Sequence, residues 1–297
     1  MPAEPTPASL WRIEFAREVI RHYLPHDSIE AAILSGSPPK GLSDQYSDLD
    51  VIVFWSEIDH RYLDAVPLWD IDCELKYSRA MGDESAHLES YYFGPLKVDV
   101  GHLTMRNWEE EIDDVVVRHE PDASKIGAMA GFLTSLPLHG DEVVGRLKER
   151  MLPYPDELAD KVVRAHRRFF VPGYLVNQAY GRGDTLAYCD GICLMLKNLL
   201  NILAGLNRVY LSTEEPRWLA YYLERMPIKP DRMEERIRSV LAFDGEPSIE
   251  VLENLMVDVL ALISEHMPDI NGDYEERWRG MTVRGCAEKP ALTPRRT

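Results

Sequence analysis

The chain has 297 residues, enough for one large domain or two ordinary ones with real cores. Hydrophobic residues make up 45% and charged residues 28%, a globular composition and not a disordered one. With 33 Lys and Arg against 50 Asp and Glu, the formal net charge of −17 argues against gripping phosphate backbones and favours small cationic partners.

Apolar residues recur every three or four positions from Leu10 to Leu24, which predicts a first amphipathic helix ended by Pro25. Ile29–Leu34 reads as a buried strand running into a turn-rich stretch, Gly36–Gly41. Further strands are predicted at Val51–Trp55, Ile71–Tyr77 and Leu96–Thr104, with a helix over Asn107–Val117. This alternation marks residues 1–140 as a mixed α/β domain. After about residue 140 the strand signals stop. Helices are predicted from Pro155 to Phe170, Asp184 to Leu206, Glu215 to Met226 and Ile249 to His266. The fold class is therefore α+β: a mixed domain, a helical domain over 141–288 hinged at Asp141–Pro155, and a loose tail at 289–297.

The four cysteines are too scattered for a disulfide framework or a zinc site. Residues 1–8 are proline-rich without a basic segment, so no signal peptide is expected there. Gly191–Leu206, the most apolar stretch, is interrupted by Lys197, Asn198 and Asn201 and reads as too short to span a bilayer. A cytoplasmic protein with neither membrane nor nucleic-acid partner is expected. Oligomeric state is left open.

Chemistry concentrates in Gly36–Val53, GSPPKGLSDQYSDLDVIV. Asp48 and Asp50 stand at the mouth of a strand, where i and i+2 point to one face. Two carboxylates so placed repel unless a cation lies between them, and hard oxygens at this density suit Mg²⁺. Gly36-Ser37 follows a strand directly, which suits backbone N–H groups and a hydroxyl to a phosphate. Lys40 is a candidate phosphate contact, although a loop lysine is more often plain surface. Ser47 is a candidate nucleotide contact or a simple turn cap. Asp99 lies on a later apolar strand and needs a partner that a shared metal would supply, with Glu74 as its rival. His102 reads as structural, because no second histidine accompanies it. The acidic run Glu109–Glu111 with Asp113 and Asp114 is a solvated helix face unless it lines a cleft.

The order Gly36-Ser37, Ser47-Asp48-Leu49-Asp50, Asp99 resembles the signature of the polymerase-β-like nucleotidyltransferase superfamily. The nine-residue spacer between Ser37 and Ser47 is similar to that of the stand-alone aminoglycoside and lincosamide-type nucleotidyltransferases and their uncharacterised relatives. Leu206–Tyr210 (LNRVY) with Trp218-Leu219 resembles one such group. The resemblance implies a catalytic domain facing a helical one across a cleft, and NMP transfer from an NTP, most simply ATP, to an acceptor hydroxyl. It also implies Asp48, Asp50 and Asp99 as catalytic two-metal Mg²⁺ ligands, Asp99 alternatively being the general base. A basic side chain of the helical half would meet the triphosphate, Lys197 first, with Arg182 and Arg208 as rivals. The acceptor is then a small, cationic, aminoglycoside-like molecule, as in antibiotic resistance. Alternatives are a protein AMPylase of toxin–antitoxin type, a nucleotide second-messenger synthase, or a non-catalytic nucleotide-binding module.

Overall fold

The structure is a computed structural model and describes residues 4–65, 72–81, 85–214, 216–271, 274–283 and 286. Helix α1 (Pro7–Ile20) starts at Thr6, whose side chain caps Ser9 N, with Pro7 in the first turn where its missing N–H costs nothing. There follow β1 (Ile29–Leu34), a 3₁₀ turn at Pro38–Lys40, β2 (Leu49–Trp55), α2 (His60–Ala65), β3 (Glu74–Met81), β4 (Ala86–Phe93) and β5 (Leu96–Thr104). Then come α3 (Met105–Val116), α4 (Ala123–Thr134), β6 (Leu136–His139) and α5 (Asp141–Arg150). The strands form one six-stranded sheet in the order β3-β4-β5-β2-β1-β6. Among the described strands only the central β2–β5 pair is parallel.

Alternation along β2 assigns the two faces of the sheet. Leu49, Val51, Val53 and Trp55 are buried in one cluster with Ala16, Val19, Ile20 and Tyr23, from α1 and just beyond it. Burying a large apolar side chain is worth roughly 1.5–3 kcal/mol, against about 1 kcal/mol for a cap, so packing on the sheet holds α1. The opposite face carries Asp50 and Phe54. Phe54 meets Trp108 of α3 and Phe132 of α4, with ring centroids 5.8 Å away in each case.

The chain forms two compact units, Met1–Leu158 with Tyr210–Pro216, and Ala159–Val209 with Arg217–Thr297. The division expected at 140 falls instead at 158. The reason is that α5 packs on β1 and β6, burying Val144 and Leu147. The Tyr210 hydroxyl likewise donates to the Met151 carbonyl at 3.0 Å, tying the 210–216 segment to the first unit.

The second unit is helical among its described residues. Helix α6 (Asp156–His166) enters it, followed by a π turn at Leu175–Ala179, α7 (Thr185–Asn207), α8 (Leu219–Leu223), α9 (Met233–Val240), α10 (Glu246–His266), α11 (Pro268–Asn271) and α12 (Tyr274–Gly280). Helix α7 matches the predicted Asp184–Leu206 to within one residue; its 23 residues extend past the apolar stretch Gly191–Leu206 and are long and apolar enough to cross a bilayer, but the helix is mostly buried in the fold, packed with α10.

The differences from expectation are local. Ile71 lies outside the described residues, and β3 begins three positions later, exposed throughout. Strands β4 and β6 and helices α2, α4, α5, α9, α11 and α12 lie where the sequence reading places no element, α5 inside the stretch read as a hinge. The helix expected to reach Phe170 stops at His166, and the one expected over Glu215–Met226 contracts to α8, Glu215 lying outside the described residues. The 289–297 tail lies outside them too.

Candidate active site

Strand β1 delivers the chain to Ser35, whose N–H donates to the Asp50 carbonyl at 2.8 Å. Gly36 then turns with φ +75°, and a Cβ built on it would stand 2.6 Å from Asp50 Oδ2. Only glycine lets the backbone lie this close to the carboxylate in that conformation. Ser37 is buried, and its Oγ shares a 2.9 Å hydrogen bond with Ser43 Oγ. Ser43 N in turn donates to Ser9 Oγ at 2.9 Å, and Thr6 Oγ1 donates to the Ser43 carbonyl at 2.7 Å. The loop after β1 is thereby pinned to the start of α1. Lys40 Nζ donates to the Gly36 carbonyl at 2.9 Å. Burial pulls the Lys40 ammonium down to about 8, against the opposing field of Asp50.

The approach to β2 is a closed turn. Asp44 Oδ1 accepts from Tyr46 N at 2.9 Å and from Ser47 Oγ at 3.1 Å. Ser47 Oγ also accepts from Asp44 N at 2.9 Å, so its hydroxyl serves the turn that precedes the acids. The Ser47 carbonyl is held from beneath by Arg12, whose Nε and Nη2 donate at 3.1 and 2.7 Å. Arg12 is itself buried; that burial lowers its guanidinium, while Asp44 and Asp48 pull it back up.

Parallel pairing sets Asp50 opposite Asp99 on the neighbouring strand. Asp99 accepts from Ser90 Oγ and from Lys97 Nζ, both at 2.6 Å. One carboxylate oxygen each from Asp48, Asp50 and Asp99 lies within 4.8 Å of the others, and all three residues are half-buried. At that separation each pair repels by roughly 3 kcal/mol at an effective dielectric near 20. Lys97, its ammonium raised by the bond to Asp99 and by the fields of all three acids, offsets part of this. The donor set, three converging anionic oxygens, fits a hard divalent cation.

The structure thus brings Gly36, Lys40, Asp48, Asp50 and Asp99 together in the first unit, while the hydroxyls of Ser37 and Ser47, in the adjoining loop, are bonded to Ser43 and Asp44. Lys197 lies half-buried on α7 of the second unit. Arg208 caps α7 in the left-handed region at φ 53°, with Nη1 on the Leu206 carbonyl at 3.0 Å, and Arg182 is exposed on a 3₁₀ turn. Glu74 pairs with Lys76 on β3 and does not join the acids. The acidic run of α3 is compensated locally: Asp114 by Arg118 and Lys125, Asp113 by Arg150. His102 is fully buried, bonded to Trp55 and Glu89, in keeping with a structural role. Sequence reasoning missed Arg12, Ser90 and Lys97. Only Lys97 carried a signal, two residues before Asp99 and so on the same strand face.

No protein-family model matches the chain, and no curated protein matches it. Among solved structures it is similar to a nucleotidyltransferase-like protein from Exiguobacterium sibiricum, at 12% identity over 90% of this chain and 87% of that one, with a TM-score of 0.38. At that distance the likeness says nothing of chemistry, which rests on the side chains.

Proposed function

We propose that this chain transfers a nucleoside monophosphate from an NTP, with ATP the first candidate, to a hydroxyl of a small-molecule acceptor, releasing pyrophosphate. The observation that carries the reading is the convergence of Asp48, Asp50 and Asp99 beside a positive-φ glycine with no room for a side chain. Asp48 and Asp50 would hold Mg²⁺, which when bound neutralises phosphate charge and lowers the barrier to displacement at phosphorus; Asp99 is either a further ligand or, as taken below, the general base.

The chain's own groups do the rest. The Gly36-Ser37 backbone and the Ser37 hydroxyl orient the terminal phosphates, and Lys40 adds a positive charge beside them. Asp99 takes the proton of the acceptor hydroxyl as its oxygen bonds to the α-phosphorus and the bond to pyrophosphate breaks. A net charge of −17 supports a small acceptor over nucleic acid.

The test is calorimetric titration of a non-hydrolysable ATP analogue with Mg²⁺ or EDTA, on the natural chain and on Asp48→Asn and Asp50→Asn. Binding that needs both Mg²⁺ and the two acids is the expected result. Binding indifferent to either would overturn the reading. Pyrophosphate release against pooled small alcohols, proteins and tRNA then sorts acceptor classes, and label appearing in protein would replace the small-molecule acceptor with an AMPylase reading.

A further inference from the structure

The sheet order gives the carboxylate cluster two sides. Gly36, Ser37 and Lys40 follow β1 and adjoin Asp50. On the β4–β5 side a cleft of about 560 Å³ opens, bordered by Asp48 and Lys97 and walled by Trp11, Tyr46 and Tyr92. This volume lies in the range of small-molecule sites. Asp48 and Lys97 join the cleft to the cluster, since Lys97 is bonded to Asp99.

Two of the aromatic walls are unusually open. Trp11 is 44% exposed and Tyr46 is 86% exposed. Large aromatic rings normally bury most of their area, so surface of this kind beside a cluster of acids is available for stacking. The guanidinium of Arg12 lies 4.2 Å from the Trp11 ring centroid, and Arg12 also fixes the Ser47 carbonyl and, through Nη1, the Ala8 carbonyl at 3.1 Å. One buried arginine therefore holds both the aromatic wall and the turn that carries Tyr46 and Asp48. The charge of the lining is also informative. Its cations are already matched, Arg12 by Asp44 and Asp48 and Lys97 by Asp99, so the wall presents paired charges. The acids of α3 do not line the cleft, so the overall charge of −17 is not focused there.

Displacement at phosphorus runs in line, with attacking and leaving oxygens on opposite sides. Pyrophosphate leaving toward Gly36-Ser37 requires the attacking hydroxyl to arrive from the opposite side. We infer that the cleft of Trp11, Tyr46 and Tyr92 is the acceptor pocket, and that the acceptor is an uncharged alcohol built on a ring that stacks on Trp11 and Tyr46. This inference rests on the nucleotidyl-transfer reading and replaces the polycation expected from net charge. The acceptor oxygen forms its bond to the α-phosphorus, the bond from that phosphorus to the pyrophosphate oxygen breaks, and the hydroxyl proton passes to Asp99.

Phenyl β-D-glucopyranoside, which is neutral and carries both an aryl and a sugar ring, is a suitable probe, with kanamycin as the polycationic control. Ligand-observed NMR and calorimetry are run with Mg²⁺ and the ATP analogue bound. The inference expects the probe to bind, Trp11→Ala and Tyr46→Ala each to weaken it at least tenfold, and Trp11→Phe to restore it. Analogue affinity should stay within twofold throughout, since these rings do not touch the phosphate side. A probe that fails to bind the natural chain, or that binds both alanine variants undiminished, overturns the acceptor pocket. So does kanamycin binding more tightly than the probe in a Trp11-dependent way. The nucleotidyl-transfer reading is judged separately, by Mg²⁺-dependent analogue binding in the natural chain and its loss in Asp50→Asn.

Discussion

The two faces of the central sheet both carry carboxylates and treat them in opposite ways. On the α1 side, Glu89 is 1% exposed and accepts from the Tyr23 and Tyr91 hydroxyls at 2.7 Å each, with His102 Nε2 at 3.0 Å. Trp55 Nε1 donates to His102 Nδ1 at 3.1 Å, which puts the ring proton on Nε2, facing Glu89. Every partner is a donor, and among the described residues no second carboxylate is bonded into the set. On the opposite face, Asp48, Asp50 and Asp99 crowd one another with a half-exposed lysine as the compensating cation. A carboxylate kept for structure is saturated by donors. The three acids proposed to hold a cation are gathered against their own repulsion.

That contrast is most sharply broken by swapping the expected costs. Asp48→Asn and Asp50→Asn should each lower Mg²⁺-dependent nucleotide affinity by at least a hundredfold, while leaving the melting temperature of the metal-free protein unchanged or slightly higher. Glu89→Ala should do the reverse. Removing the carboxylate leaves the buried Tyr23, Tyr91 and His102 donors unpaired at about 1–3 kcal/mol each, a fall in melting temperature on the order of 10 °C. Differential scanning calorimetry without metal decides between them. Asp variants that melt far below the natural chain would make the triad a structural cluster like that of Glu89.

Gly36→Ala is the next largest. A methyl group there meets Asp50 Oδ2 in a backbone conformation that side chains disfavour. The carboxylate must swing away, so Mn²⁺ affinity should fall at least tenfold with a stability loss of about 1–2 kcal/mol. Paramagnetic titration of Mn²⁺ measures the first quantity directly.

How much of this was open to sequence reading follows the same physics. Ile29–Leu34 and Leu96–Thr104 match β1 and β5 because an apolar run bounded by turn residues has few other readings. The acids were legible because Gly-Ser, Asp-x-Asp and a later Asp fall in order on neighbouring strands. Strand β4, AHLESYYF, escaped because its buried positions include His87, Glu89 and Ser90, polar residues whose burial depends on partners distant in sequence. Helix α4 is mostly small residues and carries a weak pattern. Arg12 escaped for the same reason as β4: nothing near position 12 announces that its guanidinium will meet Ser47.

The buried pair also sets a pH dependence of moderate size. Burial lowers the His102 pKa from its ordinary 6.5 in spite of Glu89, so the fold keeps the ring neutral. For Glu89, burial alone would raise the carboxyl, but the hydrogen bonds donated by His102, Tyr91 and Tyr23 overcome it and leave it below 4.5. Both depressed values make the unfolded chain bind more protons, so stability rises with pH. The His102 contribution is present above 6.5 and erodes as pH falls below it. The Glu89 contribution is present above 4.5 and is lost as pH falls through its folded value. Melting temperature should therefore drop steadily from pH 7 toward pH 4, and His102→Gln should flatten the upper part of that curve. A melting temperature constant from pH 7 to pH 5 would show that His102 is not held neutral.

The smallest effect has the least obvious sign. Lys97 Nζ sits 2.6 Å from Asp99 Oδ2, with the two side chains 40% and 24% exposed, so the pair is largely solvated and worth about 0–1 kcal/mol to the fold. Its larger role is to occupy a carboxylate that a cation would claim. Lys97→Met removes one positive charge from the rim of the cluster and keeps the length and apolar stem of the side chain. The three acids then attract a divalent ion more strongly, with no ammonium bonded to Asp99 to displace. Mn²⁺ affinity should rise about three- to tenfold at low salt, and the gain should shrink as ionic strength grows and the field is screened. The melting temperature should move by only a degree or two. Mn²⁺ binding that weakens in Lys97→Met would mean that the lysine builds the site instead of guarding it, and that Asp99 needs its ammonium to point toward Asp50.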